Sequence, residues 1–510
     1  MRASAEPGLP PRLERRDAAA LLALAALSGT LLLASLASPY LWQDEAQTAL
    51  LARSILEHGI PHGTDGTNSF SQERGLELDE DGVWRWHTWL SFYAVAASFA
   101  LLGETTLAAR LPFALLGVGC VLLTWALARE LWRDRLAALA SAGLLTLSVP
   151  FLLLARQSRW YALAACLVLA GLCAYTRIRS GGRRASLALF AAALLLFHAH
   201  YLYCAVLLGS CCLHAAWLAR ERLRPTLAVA TAVSALALPW LVWLSGVSLS
   251  EGYGVRVVGA SQALAYLGTF SKDLVTVFLA YGVWLLALPL FVLRRVRRGE
   301  PAGAVASAWS GVALLLLHTG LGLVLLAALS PGTYLRYLTP LVPPFFAGVG
   351  LVVAALARAW PALAATAVAA WLVTGSLDEF AYELTHDYDG PIEGIVRFLG
   401  EHARPGDTVA ITYGDLPVKF YLRDLRVVGG LTGEDLAAAS GAEWIIVRRH
   451  HVAPLSHAVA ARLHELIAAG GYRKRVIPYP DAAFENREDI RAHRFRTPRL
   501  PSVVIWEKRR

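Results

Sequence analysis

Charge is scarce in this chain. Only 17% of its 510 residues are Asp, Glu, Lys or Arg, against about 25% in a soluble globular chain. Lysine is nearly absent, with 4 Lys against 43 Arg. With abundant Ala and Leu, that bias points to a GC-rich genome and says nothing about mechanism. Cysteine is also sparse. Cys120, Cys166, Cys173, Cys204, Cys211 and Cys212 all fall inside apolar runs, so the polar C-terminal part has no disulfide framework. Cys211 and Cys212 read as small core residues in a helix. Internal repeats and low-complexity linkers are missing too. What is abundant is apolar: 56% of residues are hydrophobic and the mean hydropathy is +0.49. These figures exclude disorder, a fibrous protein, a nucleic-acid binder of ordinary composition and a single soluble domain. They leave a membrane protein with room for one soluble domain besides.

A spanning helix needs about 20 mostly apolar residues. Runs of that kind cover 18–38, 107–128, 136–155, 157–176, 185–198, 200–219, 225–245, 273–293, 304–329, 335–357 and 360–376, and a shorter one covers 88–102. The first follows Arg12, Arg15 and Arg16. Its apolar part is too long for a typical signal-peptide core, so it is read as an anchor. Basic clusters at 12–16, 129–135, 177–184, 220–224 and 294–298 mark the cytoplasmic loops. From 129–135 onward, successive clusters are separated by an even number of runs. Only the start breaks the rule, with three. The short run 88–102 is therefore expected not to span, but to lie as a re-entrant or interfacial helix on the outer side. The expected fold is a polytopic α-helical membrane protein of about 11 spanning helices, with its N-terminus inside and its C-terminus outside.

This topology sorts the rest of the chain. Residues 1–376 form the membrane domain, with 39–106 as a long first external loop. Residues 377–510 form a soluble extracytoplasmic domain carrying 19 basic and 19 acidic side chains. The formal net charge of +9 therefore resides in the membrane part, mostly on the cytoplasmic loops, and is a topology signal. Thr408–Thr412 and Trp444–Val447 read as short buried strands, and 391–403 and 455–470 as helices. That alternation suggests a small α/β domain.

The first loop opens with Tyr40-Leu41-Trp42-Gln43-Asp44-Glu45. Two carboxylates at the membrane surface can meet a lipid head group. Asp44 can equally be a solvated N-cap for the helical stretch 46–58. The run Glu77–Asp81 reads as a solvated acidic stretch, with a metal site as the lesser alternative. Trp84-Arg85-Trp86-His87-Thr88-Trp89 reads as an interfacial aromatic belt, or as a place where His87 helps to hold a phosphate or an acceptor. Arg110, Arg156, Arg159 and Arg336 all fall at outer helix ends, the side that positive-inside statistics disfavour. They can simply snorkel. As a group they suggest an anionic ligand, because arginine grips phosphate in a fork that lysine lacks. His198, His200 and Tyr201 lie at the same level. No Walker loop, dinucleotide fingerprint, HExxH or GxSxG occurs in a usable context, so a nucleotide-using enzyme is unsupported.

Several segments resemble one family. Trp42-x-Asp44-Glu45-Ala46, then Ala52-Arg53-x-Ile55-Leu56-x-x-Gly59, then Leu102-Gly103-Glu104 with Ala109-Arg110-Leu111-Pro112, occur in its order. So do Arg156-x-x-Arg159-x-Tyr161-Ala162-Leu163, His200-Tyr201 and Arg336-Tyr337-Leu338 with Pro340 and Pro343. Together, over about residues 15–360, they resemble the polyprenyl-phosphate-sugar-dependent glycosyltransferases of the GT-C fold. That family includes protein O-mannosyltransferases and the lipid A aminoarabinose transferases. One departure stands out: the family often has His-Pro-Pro-Leu where this chain has His87-Thr88-Trp89-Leu90.

The resemblance implies an enzyme of the bacterial inner (plasma) membrane. It would move a sugar from a polyprenyl-phosphate donor to an acceptor on the outer face, where the acceptor is a protein, lipopolysaccharide, a cell-wall polymer or a lipid. Asp44 would act as base and Glu45 as its support or an acceptor contact. Arg110, Arg156, Arg159, Tyr161, His87, His200, Tyr201, Arg336 and Tyr337 would bind substrate, the arginines on the lipid phosphate. The leaving polyprenyl phosphate needs no carboxylic acid partner, direct displacement would invert the anomeric centre, and no metal or cofactor is called for. Two other classes stay open on the residues alone. One is a transporter or flippase, against which the placement of charge at helix ends counts. The other is a non-catalytic scaffold presenting residues 377–510.

Overall fold

The computed structural model describes residues 15–73, 75–245, 258–279, 302–374, 390–429, 436–449, 454–482 and 501–509. Its helices, in chain order, are α1 (Arg15–Leu33), α2 (Gln43–His58), α3 (Leu90–Leu102), α4 (Thr106–Trp132), α5 (Arg135–Thr146), α6 (Val149–Ala155), α7 (Tyr161–Ala199) and α8 (Tyr201–Leu218). There follow α9 (Leu223–Leu244), α10 (Ala260–Asp273), α11 (Ala302–Leu329), α12 (Val342–Ala359), α13 (Pro361–Thr374), α14 (Pro391–His402), α15 (Asp415–Tyr421) and α16 (Pro454–Ala468). The strands are β1 (Thr408–Ile411), β2 (Arg426–Gly429), β3 (Trp444–Ile446), β4 (Tyr472–Pro480) and β5 (Ser502–Lys508). The chain divides into two compact units. One holds Met1–Ala34, Phe113–Val242 and Tyr253–Phe380; the other holds Ser35–Pro112, Trp243–Gly252 and Ala381–Arg510.

The first unit is helical. Among the described residues, eight helical stretches in the chain are long and apolar enough to span a bilayer, and nine if α5 and α6 count as one bent span. They coincide with nine of the eleven expected runs. The run 273–293 lies largely outside the described residues, and α13 is short for a span. Helix α7 holds two spans, Tyr161–Ile178 and Gly182–Ala199. The hinge between them is Gly182, at φ 51 and ψ −128, beside the basic cluster that marks a loop.

The run 136–155 is not the straight span that its hydropathy suggests. It breaks by 66° between Thr146 and Val149. Pro150 supplies the reason: it has no N–H to give to the Thr146 carbonyl. Asp134 starts α5 by accepting from the amides of Leu136 and Ala137, and its carboxylate takes the Arg358 fork. Two histidines inside spanning helices are used in helix–helix bonds: His318 Nδ1 to Ser210 Oγ at 3.1 Å, and His214 between Tyr175 OH at 2.7 Å and Ser310 at 3.0 Å. Such polar pairs hold membrane helices together.

The second unit joins the first loop to the C-terminal domain. Its sheet has the order β2-β1-β3-β5-β4. β1 pairs in parallel with β2 and β3, while β5 runs antiparallel to β3 and β4. Ile392, Ile395, Val396 and Leu399 recur at helical spacing and put one face of α14 against the sheet core of Val409, Ile411, Val427, Ile446 and Ile505. The expected strands and helices of this domain all form. The stretch Phe484-Glu485-Asn486-Arg487-Glu488-Asp489, with His493 and Phe495 after it, is dense in hydrogen-bonding side chains and lies outside the described residues. Helix α3 has 13 residues, about 20 Å at 1.5 Å per residue, which is too short to cross. It packs on α2 within this unit.

Close packing in the first unit yields a test. Gly350 of α12 lies against α5, where a Cβ would collide with Ser141 Oγ and the Ala137 carbonyl oxygen. Gly350→Ala should destabilise the helical unit by about 1–3 kcal/mol. Thermal unfolding in detergent would measure it.

Candidate active site

Helix α2 begins at Gln43, with Trp42 as N-cap and no side-chain cap bond. Asp44 is therefore not the N-cap but the second residue of the first turn. The positive end of the helix dipole lies there and favours an anion. Asp44 is half-buried, and Gln72 Nε2 reaches its Oδ1 at 3.4 Å. The helix ends in a left-handed Gly59 at φ 79, whose N–H bonds the Ile55 carbonyl. This accounts for the glycine in the sequence pattern.

Its neighbour Glu45 meets a different fate. It is fully buried and receives both prongs of Arg110, Nε at 2.8 Å and Nη2 at 2.6 Å. Arg110 also gives Nη1 to the carbonyls of Leu36 (3.1 Å) and Pro39 (2.7 Å), and Nη2 to that of Tyr40 (3.0 Å). All five of its N–H donors are engaged inside the protein. Arg110 has none left for a lipid phosphate. Its geometry is that of a clamp on the segment that leads into Asp44.

A second pair runs alongside. Arg53 Nε meets Glu104 Oε2 at 2.5 Å, Arg53 Nη2 donates to the Phe420 carbonyl at 3.0 Å, and its guanidinium lies 4.8 Å from the Phe420 ring centre. Thus two of the sequence segments that carried the resemblance, 44–53 and 104–110, are joined to each other by two ion pairs, one buried and one partly buried.

Residues 69–73 and 75–77 form the other wall beside Asp44. Gln72 bridges Asp44 and Gln47, and Gln47 Nε2 donates to the Phe70 carbonyl at 2.9 Å. Glu77 is 1% exposed and stands at the centre of this turn, accepting from Ser71 Oγ and the amides of Gln72 (2.7 Å) and Glu73 (3.0 Å). The acidic run is thus not wholly solvated, and its first carboxylate is a structural knot. Among the described residues no cluster of His, Cys, Asp or Glu could hold a metal ion.

His87 is half-buried. Its Nδ1 lies 3.1 Å from the Thr88 carbonyl oxygen, and its ring lies against Trp84 and Phe92. Where the family often has two prolines, Thr88 is buried and Trp89 caps α3.

The other expected residues belong to the helical unit. The break between α6 and α7 carries Arg156, Gln157, Ser158, Arg159 and Trp160. Arg156 is 6% exposed and gives Nη2 to the Ala34 carbonyl at 2.7 Å, while Arg159 is half-buried. Trp160 sits at the centre of an aromatic group, 4.1 Å from His200, 4.7 Å from Tyr161, 5.6 Å from Tyr203 and 6.2 Å from Tyr337. Tyr201 follows, at the start of α8, with its ring 5.5 Å from His200. Arg336 lies over Tyr334 at 4.3 Å and Tyr337 at 5.5 Å, the stacked mode open to a guanidinium. The structure therefore brings Arg159, Tyr161, His200, Tyr201, Arg336 and Tyr337 to one aromatic-rich zone of that unit. Trp160, Gln47 and Gln72 were not singled out from the sequence. Nothing in their local patterns marks them, because their roles come from partners distant in the chain.

No protein-family model matches this chain, and no curated protein matches it significantly. Solved structures do. ArnT from Cupriavidus metallidurans in the apo state aligns with a TM-score of 0.60 at 15% identity, over 96% of this chain and 98% of that one. This chain has the GT-C fold. The same ArnT bound to undecaprenyl phosphate aligns at 0.58 and 14%. Two further GT-C structures match. The oligosaccharyltransferase AglB from Archaeoglobus fulgidus, in complex with an inhibitory peptide and a dolichol-phosphate, aligns at 0.58 and 13% identity, over 92% of this chain and 74% of that one. The arabinofuranosyltransferase AftD from Mycobacteria aligns at 0.54 and 17%, over 98% of this chain and 42% of that one.

The Glu45–Arg110 pair is open to test. Removing one partner of a buried, hydrogen-bonded pair costs about 3–5 kcal/mol. Glu45→Gln should lower thermal stability by that order. Arg110→Lys should do so too, since an ammonium cannot replace five directed donors.

Glu77 gives a pH test. Burial lifts its carboxyl above the ordinary carboxylate range despite the Ser71 and backbone donors. A group lifted in this way adds stability below the ordinary range and loses it as pH rises through the lifted value. Unfolding temperature should therefore rise as pH falls from 7 toward about 5. In Glu77→Gln that part of the profile should be flatter.

Proposed function

We propose that this protein is an integral-membrane glycosyltransferase that moves a sugar from a polyprenyl-phosphate donor to an acceptor on the extracytoplasmic face of a bacterial inner membrane. One observation carries the assignment of the base. Of two adjacent acids in the first turn of α2, Glu45 is consumed by Arg110, whereas Asp44 is left half-exposed at the helix N-terminus. The shared fold supports the donor class. Among the matching structures, one ArnT is bound to undecaprenyl phosphate and AglB is in complex with a dolichol-phosphate.

The step balances without a second acid. The acceptor hydroxyl oxygen attacks the anomeric carbon and its proton passes to Asp44. The bond from that carbon to the phosphate oxygen breaks, and polyprenyl phosphate leaves with the electron pair. Attack opposite the leaving group inverts the centre. Arg156, Arg159 and Arg336 stabilise charge on the departing phosphate. Tyr161, His200, Tyr201 and Tyr337 also bind substrate, and His87 helps to hold a phosphate or an acceptor. Arg110 is reassigned to holding the segment before Asp44.

Asp44→Asn tests this directly. Release of polyprenyl phosphate by membranes supplied with polyprenyl-phosphate sugars should fall at least about a hundredfold. Thermal stability should be unchanged, since Asp44 is half-exposed; full transfer by the variant would sink the mechanism. Arg159→Ala and Arg336→Ala should each weaken donor use about tenfold to a hundredfold, read as kcat/KM for the donor. Mass spectrometry of envelope glycans from cells with and without the protein would identify the sugar and the acceptor.

A further inference from the structure

The C-terminal domain grips the first loop on both sides of Asp44. On the upstream side, Glu393 of α14 accepts from the Tyr40 amide at 2.8 Å. The hydroxyl of Tyr421, at the end of α15, accepts from the Leu41 amide at 2.9 Å and bonds Thr106 Oγ1 at 2.7 Å. Asp415 Oδ1, at the start of α15, accepts from Gln43 Nε2 at 2.7 Å. Gln43 directly precedes Asp44.

On the other side, Lys419 donates its ammonium to the Ser69 carbonyl at 2.7 Å and to Asp415 Oδ2 at 3.0 Å. The side chain of Asn68 donates to the Leu425 carbonyl at 3.1 Å and accepts from the Val427 amide at 2.8 Å, as an extra strand residue would. These bonds fix residues 68–70, and through them Gln72, whose amide reaches Asp44. One ion pair therefore touches both walls. Asp415 holds Gln43 and Lys419 holds Ser69.

This placement is informative. Helix α15 follows β1 through the left-handed Gly414 at φ 90. Its first turn, with Asp415, therefore lies just past the carboxyl end of β1, while its far end leads to the amino end of β2, where Asn68 bonds Leu425 and Val427. The first loop thus runs along the length of α15, with Gln43 at one end and Asn68 at the other. The pair is wholly buried, with side-chain exposures of 0% and 1%. A buried pair is seldom the most stable filling for such a site, and apolar residues of similar volume often do as well or better. Its distinctive contribution is direction, because each charge aims at one particular loop group.

We infer that Lys419 and Asp415 are positioning residues for the transfer, and that the C-terminal domain acts through them and Gln43 to set the position of Asp44. The inference rests on the reading of Asp44 as base.

The experiment separates direction from stability. Lys419→Met alone strands Asp415 without its partner and should be unstable. The double variant Asp415→Leu/Lys419→Met removes both charges and should recover thermal stability to near that of the parent. Gln43→Ala cuts the link to α2 and leaves the ion pair in place. Initial rates would be measured on the full-length protein in detergent, with a polyprenyl-phosphate sugar that the parent turns over. If the pair positions Asp44, the double variant and Gln43→Ala should both lose kcat about tenfold to a hundredfold. KM for the donor should stay within about twofold, and Lys419→Arg should recover part of the rate.

A double variant that regains both stability and kcat would overturn the inference, because the pair would then serve only as a filling. A loss confined to KM would overturn it too. Asp44→Asn, assayed alongside, keeps the two readings apart. If that variant is active, the reading of Asp44 fails. If it is inactive while the double variant is fully active, only the positioning role fails.

Discussion

The candidate site depends first on the bond between Glu45 and Arg110. An arginine fork out of water must satisfy five donors, and a buried carboxylate must find a cation. Each does this for the other here, and the remaining donors of Arg110 fasten three carbonyls between Leu36 and Tyr40. The route of the chain from residue 36 to the start of α2 follows from that one constraint. So does the chemical identity of the neighbouring acid. Glu45 is thereby buried and paired, while Asp44 beside it stays half-buried with Gln72 near its Oδ1.

The division into two units gives this arrangement its wider sense. Residues 35–112 belong with the C-terminal sheet domain rather than with the long apolar helices that flank them in the chain. The loop has little regular structure of its own beyond α2 and α3, and its isolated bridges are few. Its order comes from ion pairs, from side-chain bonds to backbone, and from the edge of a sheet whose sequence begins some three hundred residues later. In the helical unit, Arg336 and Trp160 are held by ring contacts instead.

Much of the fold is written locally and was legible for that reason. Long apolar runs are read at once because a bilayer core demands length and apolarity together. Short β-branched runs such as Thr408–Ile411 and Trp444–Ile446 announce buried strands. The break at Pro150 was hidden by hydropathy, which weighs a proline in an apolar run lightly although it removes a backbone donor. The site was legible in part. Two adjacent acids after an apolar helix are conspicuous, as are arginines where positive charge is unwelcome. The pairings that shape the site reach across 65 residues (Glu45 with Arg110) or across 372 (Gln43 with Asp415). No local pattern encodes such pairings. Lys419, one of only four lysines, was present in the composition from the start and carried no sign of its task.

The shared unit of first loop and last domain also has a consequence in time. During synthesis, α2 and Asp44 leave the ribosome long before residues 415–427 exist. Until Glu393 and then those residues arrive, the amides of Tyr40 and Leu41 and the side chains and carbonyl of Gln43, Asn68 and Ser69 lack these bonds to the last domain. A chain inserted as far as its last apolar helix therefore has its membrane scaffold and the Arg110 clamp, but not the bonds that Gln43, Asn68 and Ser69 make with residues 415–427. The arrival of residues 393–427 is the event that completes the hydrogen bonds around the head of α2.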